Sequence, residues 1–277
     1  MSDAPPPPAE RARHAPLPLA RLDARGVVGV FTDIDDTLTT DGRLHADAYA
    51  ALCALAAAGL HVVPVTGRSA GWAHMIVKTW PVAAVVAESG GLYLAREART
   101  GRLLTRLHAP ADTVAADRAR LEACARRVRA AIPGLAPASD NAYRLVDLAL
   151  DYCEEVPRVP ADDVARAIRM FVDEGFNARA SSVHVNAWAG EFDKAPMALK
   201  VLEERFAGSA GADPRAWVFA GDAPNDASMF AAFERSVGVA NVLPHLAAMP
   251  VAPAFVTAGA SGDGFVELAR HLLAARD

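Results

Sequence analysis

The sequence predicts an α/β protein, a Rossmann-like parallel sheet core interrupted by an inserted domain of α+β character. Short and almost continuously apolar runs recur at residues 27–32, 60–65, 82–87, 217–220 and 237–239, as expected of parallel strands buried on both faces. Helical stretches alternate with them, the signature of strand–helix–strand units. Between residues 92 and 188 the pattern shifts to hairpin and half-wet strand signals.

Taken in order, residues 1–24 are rich in proline and read as a disordered arm. After the first strand an Ala-rich helix is expected over 45–58, stopped by Gly59. The strand over 60–65 leads through Thr66-Gly67-Arg68-Ser69 to a helix ending near Thr79, and 82–87 forms the third strand. Segments 92–96 and 103–108 flank Thr100-Gly101 as a hairpin, and 111–131 reads as a long amphipathic helix. Residues 143–151 alternate apolar and polar, which predicts an antiparallel strand with one wet face. A helix over 162–174 and a strand pair within 177–188 complete the block. The division implied is a core of 25–91 and 189–277 carrying an insertion at 92–188, and no internal repeat is visible.

With 277 residues, 52% of them hydrophobic, the chain has ample material for a buried core. A net charge of -5 gives no broad basic surface, which argues against a nucleic-acid partner. Cys53, Cys124 and Cys153 are odd in number and far apart, the pattern of a reducing compartment rather than of a disulfide framework or zinc site. The N-terminus lacks the apolar stretch of a secretory signal, and no run approaches the roughly 18 apolar residues of a membrane span. The expectation is a cytoplasmic protein with no membrane partner; the oligomeric state is left open.

The chemistry concentrates at strand ends. In VFTDIDDTL, Asp33, Asp35 and Asp36 crowd three carboxylates into four residues, a cost in repulsion and desolvation unless a cation joins them. Asp33 and Asp35 point the same way from the carboxyl end of a buried strand, where ligand sites of open α/β sheets lie. They could act as nucleophile and general acid/base or hold a hard cation, while Asp36-Thr37 could merely cap a turn. Ala220-Gly221-Asp222-Ala223-Pro224-Asn225-Asp226 follows another buried strand and adds Asp222 and Asp226, either toward an oxygen-rich Mg2+ site or as an Asx-rich turn. Thr66-Gly67-Arg68 places a hydroxyl and backbone N–H groups where phosphate oxygens would suit, although an ordinary helix N-cap looks the same. Lys194 opens a predicted helix over 195–206, where a cation opposes the macrodipole and so implies negative charge nearby unless it is simply solvated.

In this order, D-x-D-D-T, T-G-R, K and G-D-x-x-N-D, these elements resemble the haloacid dehalogenase superfamily of phosphohydrolases over residues 27 to 240. The insertion looks like the larger α/β cap of its sugar-phosphate phosphatases, such as sucrose-phosphate, mannosyl-3-phosphoglycerate and Cof-like phosphatases, and of eukaryotic-type phosphomannomutases. The resemblance implies a HAD-like fold and a phosphomonoesterase acting on a small phosphorylated sugar or sugar-glycerate. It makes Asp33 the nucleophile that forms an aspartyl-phosphate, and Asp35 the general acid and then base. Mg2+ would sit on Asp33, the Asp35 carbonyl and Asp222, with Asp226 supporting the site. Thr66 and Lys194 would hold phosphoryl oxygens alongside Gly67 and Arg68, and Asn225 would orient Lys194 or a phosphate oxygen. Specificity would come from Arg144, Arg179, His184 and Asn186 in the cap, the last two on one strand face. Two positions depart from the pattern: Asp36 stands where many members have glycine, and Ser89 where asparagine is common.

A phosphosugar mutase would use the same Asp33 chemistry and return the phosphoryl group to a sugar. A D-x-D glycosyltransferase would use the carboxylates for a metal and a nucleotide diphosphate, but has no use for Thr66, Lys194 and Asp222 in this order. Class II terpene cyclases share a D-x-D-D motif but are all-helical, against the β-rich runs here. A noncatalytic binding protein on the same scaffold is disfavoured because no catalytic position is lost.

Overall fold

The computed structural model describes residues 7, 15–97, 99–181 and 183–276. Along the chain run β1 (Leu17–Pro18), β2 (Gly29–Thr32), α1 (Ala46–Ala57), β3 (His61–Pro64), α2 (Ala70–Thr79), β4 (Ala84–Ala87), β5 (Leu92–Arg96), β6 (Leu103–Leu107), α3 (Ala111–Ala131) and β7 (Ala136–Pro137). There follow β8 (Leu148–Asp151), α4 (Ala161–Asp173), β9 (Asn177–Ala180), β10 (His184–Trp188), α5 (Lys194–Arg205), β11 (Trp217–Gly221), α6 (Ala227–Ala232), β12 (Arg235–Gly238), β13 (Phe255–Val256) and α7 (Ser261–Ala274).

Among the described residues the core sheet has the order β1-β13-β12-β11-β2-β3, every pair parallel. Its continuous apolar strands are explained by cover on both faces. Val30, Val62 and Val218 pack with Leu52 and Leu55 of α1 and Leu268 and Leu272 of α7. Their strand neighbours Phe31, Val63, Trp217 and Phe219 pack with Val201 and Leu202 of α5 and Phe230 of α6 on the opposite side. Each fully buried side chain of this size contributes about 1.5–3 kcal/mol relative to exposure. Because the strands run parallel, the ends of β2, β3 and β11 come out at one edge.

Three expectations change. The arm was drawn to residue 24, but β1 pairs with β13 and Leu19 and Leu22 are buried against the α7 side of the core; apolar residues between the prolines supply that anchor. Residues 1–6 and 8–14 of the expected arm lie outside the described residues. The hairpin β5–β6 does not belong with the insertion's sheet: β5 pairs antiparallel with β4, which a Val65–Val86 bridge joins to the end of β3. Alternate residues of β5 enter two different core clusters, Tyr93 and Ala95 on one side and Leu92 and Leu94 on the other, so it is sandwiched within the core. The strand drawn over 143–151 begins only at Leu148. Before it, the amides of Leu145, Val146 and Asp147 all donate to the carboxylate of Glu88, which bends the chain away from any ladder. Nor does β8 have a wet face: Asp147 and Asp151 are as buried as Leu150, with their carboxylates taken by Arg144 and by the amides of residues 153–155.

The inserted sheet, β7-β8-β10-β9, is antiparallel throughout. Its one face packs Leu150, Val185 and Ala187 on Leu121 and Val128 of α3 and Val164 and Phe171 of α4. The opposite face of β10 looks onto the strand ends of the core, and a cleft opens between them.

Candidate active site

Asp33 follows β2 directly, and its amide donates to the Ala220 carbonyl of β11, tying the first acidic cluster to the second. Lys194 is the first residue of α5, with the Asp193 side chain accepting from its amide as the cap. Its ammonium lies 2.6 Å from Asp33 Oδ1 and 2.7 Å from Asp226 Oδ1, and it is fully buried. Gly90 makes this approach feasible. Its φ is +100°, and a Cβ there would fall 2.1 Å from the Asp193 carbonyl oxygen. Gly221 serves the second cluster in the same way, since a Cβ would fall 2.5 Å from Asp226 Oδ2.

Asp33, Asp222 and Asp226 bring one carboxylate oxygen each within 4.8 Å of one another. Burial pushes Asp33 well above the usual carboxylate range; Lys194 opposes this, and Asp226, Asp222 and Asp35 add to it. Asp222 is pushed up to about 7, first by burial and then by Asp226. Burial by itself would lower the Lys194 ammonium, but Asp226 and Asp33 together hold it far above its ordinary value. Three buried carboxylates thus share a single ammonium. Carboxylate oxygens are the donors a hard divalent cation takes, so the residues fit Mg2+. Both oxygens of Asp226 are already engaged, one by Lys194 and the other by the amides of Asp222 and Ala223.

Around this floor, Thr37 Oγ1 donates to Asp222 Oδ1, and Asn241 Nδ2 reaches Asp222 Oδ2 and the Asp36 carbonyl. Asp36 has φ +57°, a left-handed conformation that Asp tolerates better than most residues. Asp35 is gripped by Arg68, whose Nε and Nη2 lie 3.0–3.2 Å from its two oxygens. Thr66 is fully buried, its Oγ1 accepting from the Arg68 amide, while Gly67 and Arg68 line the cleft. Ser89 lines it too, beside Gly67.

The cleft has a volume of about 360 Å³, within the range of small-molecule sites. Arg179, His184 and Asn186 face it from the inserted sheet and Asn225 from the core. Asn225 is exposed, and the two partners that orient Lys194 are Asp33 and Asp226. Arg144 departs from its expected role. Its guanidinium is buried and spent on Asp140, Asp147 and the Gly67 carbonyl, so it braces the Thr66–Arg68 loop instead of waiting for a ligand. His184 Nε2 lies 2.7 Å from Glu154 Oε2, and Glu154 is also 3.6 Å from Arg68. Burial lowers the His184 pKa, with Glu154 opposing.

Sequence reasoning missed Asn241, Trp188 and Glu154, and gave Glu88 a place near the floor without a role. Glu88 is fully buried, and besides residues 145–147 its carboxylate accepts from the amide of Ala70 at the start of α2. With φ of +49° and +55°, Glu88 and Ser89 form a left-handed turn hydrogen-bonded to the carbonyls of Arg68 and Thr66. The available signal was position: Glu88 and Asn241 both sit just past buried strands at the ligand edge of the sheet.

No protein-family model matches the chain, and no curated protein sequence matches it. Solved structures do. A haloacid dehalogenase-like hydrolase from Bacteroides thetaiotaomicron superposes with a TM-score of 0.64 at 15% identity, over 89% of this chain and 99% of that one. The sucrose-phosphatase of Synechocystis, crystallised with sucrose and phosphate, gives 0.62 at 18% identity over 88% and 97%. The fold is that of the haloacid dehalogenase-like hydrolases. The C-terminal domain of Candida albicans (C. albicans) trehalose-6-phosphate phosphatase has the same fold, with a TM-score of 0.69 at 11% identity over 94% of this chain and 99% of that one. Within this fold the first acidic cluster follows β2 and the second follows β11, and the inserted sheet faces both across the cleft. No helix among the described residues is long and apolar enough to cross a membrane.

Proposed function

We propose that this chain is a Mg2+-dependent phosphomonoester hydrolase that works through an aspartyl-phosphate on Asp33 and takes a small phosphorylated sugar. The observation that carries this reading is the shared ammonium: Lys194 touches both Asp33 and Asp226, with Asp222 alongside, at the strand end where ligands bind. Sucrose-phosphatase and trehalose-6-phosphate phosphatase among the structural neighbours support the substrate class.

Asp33, Asp222 and the Asp35 carbonyl would hold the cation, while Asp226 secures Lys194 and the turn after β11. When bound, the ion would offset the charge on Asp33 and on the phosphoryl oxygens. Asp33 attacks phosphorus as the ester P–O bond breaks, and protonated Asp35 gives its proton to the leaving alkoxide. Asp35, now a carboxylate, takes a proton from the water that attacks the aspartyl-phosphate, which frees inorganic phosphate and regenerates Asp33. Lys194, Thr66 and the loop at Gly67 would stabilise the phosphoryl oxygens, and Arg68 fixes the orientation of Asp35.

Asp33→Asn should keep its circular dichroism spectrum and lose Mg2+-dependent phosphate release from p-nitrophenyl phosphate. Substantial remaining turnover rejects the nucleophile assignment. With hexose phosphates, free phosphate is expected; an isomerised ester in its place would mark a mutase.

A further inference from the structure

Three cleft-lining side chains carry a buried polar atom without a hydrogen-bond partner, and while His184 Nε2 has the Glu154 carboxylate 2.7 Å away, Asn186 Oδ1 and Trp188 Nε1 have nothing comparable. Both side chains line the cleft from β10. They lie two residues apart, about 7 Å along the strand, on the face that also carries His184, whereas Val185 and Ala187 enter the core of the cap. Trp188 is 95% buried by its 5% exposure, so its indole N–H has no water to turn to. Buried donors and acceptors are almost always satisfied, so an adjacent pair of exceptions on one wall of a cleft points to a ligand.

The charges around the cleft say which kind. Arg68 is matched by Asp35 and Glu154, Arg144 by Asp140 and Asp147, and Lys194 by Asp33 and Asp226. Arg179 lies 3.8 Å from Asp193 and stacks over the Trp188 ring at 5.5 Å. Among the described arginines and lysine of the cleft, none is left without a carboxylate to receive a second acid group.

We propose that β10 of the cap is the subsite for the part of the substrate beyond its phosphoryl group, and that this part is an uncharged polyhydroxyl compound with no second acid group. The proposal rests on the phosphatase reading above and narrows it, setting aside glycerate-type leaving groups. A hydroxyl both donates, to Asn186 Oδ1, and accepts, from Trp188 Nε1, so two neighbouring hydroxyls satisfy both atoms. A leaving group without them keeps both atoms unpaired, which is how such sites discriminate.

The test is a panel of neutral hexose, hexitol and disaccharide monophosphates set against 3-phosphoglycerate, with p-nitrophenyl phosphate as reference, using wild type, Trp188→Phe and Asn186→Leu. The best neutral ester should exceed 3-phosphoglycerate in kcat/KM by at least about tenfold, and each variant should reduce the ratio of that ester to p-nitrophenyl phosphate by about tenfold. Equal or better use of 3-phosphoglycerate, or a ratio unmoved in both variants, overturns the proposal. If wild type releases no phosphate from p-nitrophenyl phosphate, the hydrolase reading fails on its own. The subsite is then judged by saturation-transfer NMR with the unphosphorylated sugars of the panel: binding weakened in both variants supports it, and no binding to wild type overturns it.

Discussion

Lys194 and Arg144 are both buried cations, each facing two carboxylates, yet they do opposite things. Around Arg144 the books are closed: its guanidinium meets Asp140, Asp147 and a backbone carbonyl, and the cluster knits the insertion to the Thr66–Arg68 loop. Around Lys194 they are open, because Asp222 adds a third carboxylate to one ammonium and is pushed up to about 7 by burial and by Asp226. A buried cluster in which every carboxylate meets the cation makes structure; one with three carboxylates around a single ammonium has oxygens to offer a second cation.

Breaking each cluster should expose that contrast. Lys194→Met is expected to lower kcat by about 10²–10³ or more through lost phosphoryl stabilisation. It should also destabilise the protein by about 3–5 kcal/mol, because buried carboxylates lose their partner. Mg2+ should return more stability to this variant than it adds to wild type. Arg144→Met should cost a similar about 3–5 kcal/mol in chemical denaturation, with no recovery beyond the wild-type response to Mg2+. Equal rescue of both variants would mean that the two clusters do not differ in their need for a cation.

A smaller effect follows from pH. Asp222 and Asp147 are each pushed up to about 7, both by burial first. Between an unfolded-state value of about 4 and that value, the native state holds more protons than the unfolded one, so stability falls as pH rises through this window. In chelator the melting temperature should therefore decline from pH 4 to pH 8. Saturating Mg2+ should remove the share of the slope due to Asp222 and leave that of Asp147. A slope untouched by Mg2+ would mean that Asp222 does not meet the ion. The mildest change expected is in Asn241→Ala, which frees the Asp222 carboxylate and the Asp36 carbonyl from a shared donor. Mg2+ affinity should weaken about tenfold by titration, with the fold retained.

Much of the floor of the site was legible because it depends on local rules. Apolar runs mark strands, acids placed just after them sit at one sheet edge, and a lysine opening a helix advertises negative company. The long helix over 111–131 was legible from its period alone. What escaped depended on partners distant in sequence. Glu88 is held by amides of residues 145–147, which no side-chain pattern announces, and those bonds also truncated the strand drawn over 143–151. Arg144 looked like a ligand residue because charge alone does not reveal that Asp140 and Asp147 fold back onto it. The hairpin 92–107 read as part of the insertion because antiparallel pairing with β4 follows it directly in the chain, and only tertiary packing shows that both its faces are enclosed.

The grip of Glu88 bears on any attempt to exchange the insertion with that of another protein of this fold. A replacement upper half must offer three consecutive amides to that carboxylate, or the graft strands an ionisable group in the seam beside the loop that braces Asp35. Chimeras that transplant the residues equivalent to 144–147 together with the sheet they precede should fold, and those that splice between the two should not.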